Sequence, residues 1–115
     1  MHELALAEAL VRTGLRTARE AARGRRVTEL HVEVGELAGV VPELLASAFP
    51  MAVAGTALEG ARLRLKSIPV EFRCRRCNRR FGKGLTSCPE CRSTDVELAA
   101  GRGLNLVSLE VEDEP

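Results

Sequence analysis

The chain has 115 residues, 45% of them hydrophobic but only three aromatic, all Phe, and seventeen basic residues against sixteen acidic ones leave a net charge of +1. Such a length holds one ordinary domain, or a small domain with a satellite module. The balance of charge and the lack of Trp and Tyr argue against a single-strand nucleic-acid platform, which needs rings and a basic groove, and no apolar run approaches the roughly 18 residues of a membrane helix.

From Leu4 to Arg23 the apolar residues Leu4, Ala7, Val11, Leu15, Ala18 and Ala22 recur in steps of three and four, which predicts an amphipathic helix. Gly24 serves as its C-cap beside Arg23. Gly14, inside it, costs about 1 kcal/mol relative to Ala. Between Val27 and Glu36 the period drops to two. Leu30, Val32 and Val34 alternate with Glu29, His31 and Glu33, the pattern of a half-buried strand.

Beyond Gly35 and Gly39, Pro42 and Glu43 open a second helix, with Leu44, Leu45, Ala48, Phe49 and Ala52 as its apolar face. Pro50 is expected to kink or shorten it, and Gly55 to end it. Residues 62–70 alternate again: Leu63 and Leu65 on one side, Arg62, Arg64 and Lys66 on the other. Those bases are placed to face Glu29 and Glu33 across a sheet. A last strand, Leu104 to Val111, slips in phase near Val107, consistent with a bulge, and runs into an acidic tail.

The texture breaks at Glu71. Between Phe72 and Arg102 lie all four cysteines, eight of the seventeen basic residues and few large apolar side chains, so no conventional core is expected there. Cys74, Cys77, Cys88 and Cys91 are spaced C-x2-C-x10-C-x2-C. Each C-x2-C makes a tight knuckle, and two knuckles supply the tetrahedral S4 shell that suits Zn2+. Four thiolates leave no open position, so this zinc would be structural. Disulfide pairing or a thiol redox site is the competing reading. Around the first knuckle, Arg73, Arg75, Arg76, Arg79, Arg80 and Lys83 form a basic patch. It reads as a solvated surface offsetting the thiolate charge; the alternative is contact with nucleic-acid phosphates or an acidic protein.

His2 stands directly behind the terminal amine. The Met1 amine, the His2 amide nitrogen and the imidazole Nδ1 can close fused chelate rings, and the Glu3 amide can add a fourth nitrogen. A planar nitrogen set suits Ni2+ or Cu2+ and not tetrahedral Zn2+, while the Glu3 carboxylate could orient the imidazole. On chemistry alone a histidine at this position is usually just a solvated terminal residue. His31, between Glu29 and Glu33, reads as a surface histidine or an auxiliary metal ligand.

Together these segments resemble the HypA/HybF hydrogenase-maturation proteins. The resemblance is carried by Met1-His2-Glu3-Leu4, Val34-Gly35-Glu36-Leu37 and Val41-Pro42-Glu43-Leu44 with Ala48-Phe49. Gly55-Thr56, Gly60-Ala61, Pro69, Cys88-Pro89-Glu90-Cys91 and the closing Gly103-Leu104-Asn105-Leu106 with Ser108-Leu109-Glu110 complete it, essentially end to end. The ten-residue spacer between knuckles is a few residues shorter than the family's. The resemblance implies a non-enzymatic nickel metallochaperone that passes Ni2+, with a maturation GTPase, to the large subunit of a nickel–iron hydrogenase, and in some organisms to urease. It places nickel on the Met1 amine, His2 and Glu3, and structural zinc on Cys74, Cys77, Cys88 and Cys91.

The expected fold is α+β: two helices packed on a three-stranded sheet, with an inserted zinc-ribbon module. Residues 1–70 plus 103–115 would form the nickel-binding α/β domain and residues 71–102 the zinc module. The connectors 69–72 and 99–103 would be hinges if that module moves. A final strand beyond such an insert leaves a homodimer by segment exchange open. Met-His-Glu begins no signal peptide, so the chain reads as soluble and cytoplasmic, with no catalytic residues. The alternative function is a zinc-ribbon adaptor that binds nucleic acid or an acidic protein through its Arg-rich knuckle.

Overall fold

The computed structural model describes residues 2–112. Helix α1 runs His2–Thr17 and widens into a π turn over Ala18–Ala22. The left-handed turn that stops it begins at Arg23 (φ 49°), one residue before Gly24 (φ 86°). Its buried face is Ala7, Leu10, Val11 and Gly14. Leu10 joins the stripe expected from the sequence, and Gly14 has a packing reason to be there. A Cβ on Gly14 would stand 3.0 Å from Leu58 Cδ1 and 3.3 Å from Leu30 Cδ2.

Strand β1 (Val27–Gly35) leads to helix α2 (Pro42–Val53), which passes through Pro50 to end at Val53. Proline removes a hydrogen bond to the carbonyl four residues back. That carbonyl belongs to Ala46, which is exposed, so water can satisfy it. Leu45, Phe49 and Val53 face the core, whereas Leu44 points to solvent, 52% exposed. The loop after α2 is tied by Thr56, whose hydroxyl donates to the Val53 carbonyl at 2.7 Å and accepts the Leu58 N–H at 3.1 Å. This turn drives Leu58 into full burial.

Strand β2 (Arg62–Ile68) pairs parallel to β1. Three short strands follow, β3 (Glu71–Cys74), β4 (Arg80–Gly82) and β5 (Val96–Ala100), and β6 (Leu104–Val111) returns antiparallel to β1. The first sheet is ordered β2-β1-β6 and the second β4-β3-β5. Leu30, Val32 and Val34 turn inward against both helices, in two adjoining clusters centred on Leu30 with Leu58 and on Val32 with Leu45. Glu29 and His31 therefore face the side that carries no helix among the described residues.

The phase slip on β6 is a bulge at Val107: Val32 pairs with Leu106 but His31 with Ser108. The extra residue returns Leu109 to the core side opposite Leu30 and turns Glu110 outward beside Glu29.

The radius of gyration is 17.7 Å, against about 13 Å for a compact chain of this length. The molecule is long, 55 × 32 × 16 Å, because the second sheet has its own small core. That core is Cys74, Phe81 and Cys88, with Phe72 and Val96 against it. The Phe72 and Phe81 rings stack at 5.9 Å, so two of the three aromatic residues form a nucleus where composition predicts none.

The segment Gly35–Leu37 laces both connectors to the first sheet. Gly35 N–H donates to the Gly103 carbonyl, Glu36 N–H to Ile68 and Leu37 N–H to Gly101, at 2.8, 2.9 and 2.8 Å.

Candidate metal centres

The two knuckles of the second sheet share one local geometry. In the first, Asn78 N–H donates to the Cys74 carbonyl and Cys74 N–H to the Arg79 carbonyl, both at 2.9 Å. In the second, Arg92 N–H donates to Cys88 and Cys88 N–H to Ser93, again at 2.9 Å. Asn78 (φ 65°) and Arg92 (φ 63°) are both left-handed, which turns each chain sharply after its second cysteine. Asn tolerates that conformation; Arg does so at a cost of about 1–2 kcal/mol.

These turns bring all four sulfurs within 4.8 Å of one another. The cross-knuckle pairs Cys74–Cys91 and Cys77–Cys88 stand at 3.6 and 3.5 Å. A tetrahedral shell with metal–sulfur bonds of about 2.3 Å has edges of about 3.8 Å, so the cluster fits such an ion with little movement. Cys74 and Cys88 are buried, Cys77 and Cys91 exposed. Backbone N–H groups favour thiolate at two of them. The Cys91 N–H, followed by that of Glu90 once burial is set against them, brings the Cys88 thiol down to about 6. The N–H groups of Cys77 and Arg76 lower Cys74. At Cys77 the Arg79 N–H pulls the same way, but Cys88, burial and the other two sulfurs outweigh it and push this thiol up to about 12. Four sulfurs this close cannot all ionise without a cation, which is the electrostatic case for a metal here.

The basic patch is answered largely within its own module. Arg73 pairs with Glu97, Arg75 with Asp95, Arg79 with Glu90 and Arg80 with Glu71, while Lys83 reaches Glu36 just beyond β1. Phe81 is 7% exposed and stacked on the half-buried Phe72. Charges already paired release few counterions on meeting phosphate, which weighs against the nucleic-acid adaptor.

His2 and Glu3 begin α1; Met1 lies outside the described residues. The His2 Nε2 is 3.5 Å from Glu3 Oε2. That contact engages the far ring nitrogen and leaves Nδ1 for the chelate ring that the sequence suggests. The first N–H groups of a helix have no carbonyl partner, so the His2 and Glu3 amides can serve a metal without breaking the helix.

A third group is only half legible in the sequence. His31 Nε2 lies 3.3 Å from Glu29 Oε1 and 3.4 Å from Glu110 Oε1, where the sequence suggests Glu33 as the second carboxylate. Antiparallel pairing with β6 sets Glu110 opposite Glu29, and nothing local to His31 encodes this. Glu36, in the sequence no more than part of a motif, receives Lys83 and, at 2.9 Å, the Val70 N–H.

Two helices on a three-stranded sheet, with a four-cysteine cluster carried on two connectors, define the class of metal-handling proteins. Residues 1–111 match the family described as "Hydrogenase/urease nickel incorporation, metallochaperone, hypA". The chain is 41% identical to the hydrogenase maturation factor HypA of Streptomyces avermitilis, over 98% of this chain and 88% of that one. It is 38% identical to the HypA of Dehalococcoides mccartyi, over 99% and 97%. Its fold is similar to the solution structure of the Ni metallochaperone HypA from Helicobacter pylori (TM-score 0.70, 23% identity, 97% and 98% covered). The chain belongs to the HypA family of nickel-incorporation metallochaperones.

Proposed function

We propose that the chain takes up Ni2+ at its amino terminus and delivers it during maturation of a nickel–iron hydrogenase, while Cys74, Cys77, Cys88 and Cys91 hold a structural Zn2+. The match of residues 1–111 to a nickel-incorporation family carries this reading. The donors are the Met1 amine, the His2 amide and Nδ1, and Glu3, with the Glu3 carboxylate steadying the imidazole through Nε2. Zinc, when bound, joins the two knuckles and supplies folding energy to the second sheet. The cysteine module, residues 71–102, is then a separate unit inserted in the nickel domain of residues 1–70 and 103–115.

The protein works by ligand exchange and is not an enzyme. A planar nickel at the chain end has open faces, so an incoming ligand can attack before the site empties. A maturation GTPase and the hydrogenase large subunit are the partners, and the cytoplasm is the compartment. Among the described residues no helix is long and apolar enough to cross a membrane.

The test is calorimetric titration of untagged, zinc-loaded protein with Ni2+, alongside the absorbance of planar nickel. One nickel per chain with planar-nickel absorbance is expected, and that absorbance is lost in His2→Ala with zinc retained. A residue added before Met1 removes the amine donor and weakens nickel in the same way. Protons compete for all these nitrogens, so affinity falls between roughly pH 8 and pH 6. Nickel binding indifferent to His2, to the added residue and to pH refutes the site.

A further inference from the structure

We infer that Glu29, His31 and Glu110 form a third metal site, for a first-row divalent transition ion, on the helix-free face of the first sheet. Three ligand atoms converge there from two strands, all within 4.8 Å of one another. The His31 Nε2 is shielded from solvent and is without a hydrogen-bond partner among the described residues, although carboxylate oxygens lie 3.3 and 3.4 Å away. Those separations match the edge, about 3.4 Å, of a tetrahedral shell with bonds of about 2.1 Å. One imidazole with two carboxylates is a donor set such ions accept.

The supporting contacts orient the site. Arg64 Nε donates to Glu29 Oε2 at 2.9 Å, which turns Oε1 towards His31. Glu110 reaches the group only because the Val107 bulge re-phases β6; in the register of residues 104–106 it would turn inward.

The site is separate from the amino terminus and from the cysteines, and its test is kept separate too. Full-length protein carrying His2→Ala, with zinc in the cysteine module, is titrated with Ni2+ and in parallel with Zn2+. Calorimetry gives the stoichiometry, and amide NMR at Glu29, Arg64, Ser108 and Glu110 gives the location. One further ion per chain is expected, with nickel broadening confined to those amides. His31→Gln and Glu110→Gln should each weaken it by about tenfold or more. Both variants sit on the exposed sheet face, and unchanged circular dichroism establishes that they fold. No additional ion at millimolar metal overturns the site, as does affinity unmoved by both substitutions. Neither result bears on nickel at His2, which the unsubstituted chain reports.

Discussion

Glu36 holds two parts of the molecule with one carboxylate. Its Oε1 accepts the Val70 N–H at 2.9 Å and its Oε2 accepts the Lys83 ammonium. One contact therefore lands on the connector and the other on the cysteine module. Lys83 first, and the Val70 N–H second, hold the carboxyl below its ordinary value of 4.5. A depressed carboxyl contributes stability that is present above its unfolded value and lost as pH falls through the folded one. The contact should thus persist at neutral pH and loosen only below 4.5. The Val70 amide shift should titrate with a midpoint under that value in the wild type and stay flat in Glu36→Gln. A midpoint at or above 4.5 would mean that the carboxylate is not held by its neighbours. Val34-Gly35-Glu36-Leu37 stands out in the sequence as a motif. Its role as a clasp is invisible there, because Lys83 and Val70 come close only in three dimensions.

Among the elements, glycine inside α1 shows how packing overrides propensity. Gly→Ala in an exposed helix interior gains about 1 kcal/mol. At Gly14 the new methyl would press on Leu58 Cδ1 at 3.0 Å, and Leu58 is fully buried. Gly14→Ala should therefore lower the unfolding free energy by about 1 kcal/mol, read from urea denaturation; a gain would show that Leu58 can yield. Gly35 is tighter. Its Cβ would stand 2.4 Å from the Gly101 carbonyl oxygen, a backbone atom that cannot turn aside. Gly35→Ala should cost about 3 kcal/mol or more, and an unchanged denaturation midpoint would show that the two connectors part freely. The strands of the first sheet are legible in the alternation, including the slip at Val107. The reach of α2 past Pro50 is not, because it depends on the Ala46 carbonyl being open to water.

The whole molecule is two small cores joined by two connectors and a clasp. The first core rests on two helices. The second has Phe72, Phe81, Val96 and the cysteines, too little apolar surface to hold a sheet alone. Chelation should accordingly strip hydrogen-exchange protection from residues 71–100 and leave β1, β2 and β6 protected. Loss of protection throughout would mean that the modules fold as one.

Local spacing specifies α1, β1, β2 and β6, the four-cysteine cluster and the amino-terminal histidine. Each is written over a few neighbouring residues: a period of three to four, a period of two, a C-x2-C pair, a second position. Which distant charges meet is settled by the folded chain. It pairs the knuckle arginines with acids of their own module, brings Glu110 to His31 through a bulge, and sets Lys83 on Glu36. Such pairings depend on strand register and connector geometry, and chain folding sets those through contacts far apart in sequence.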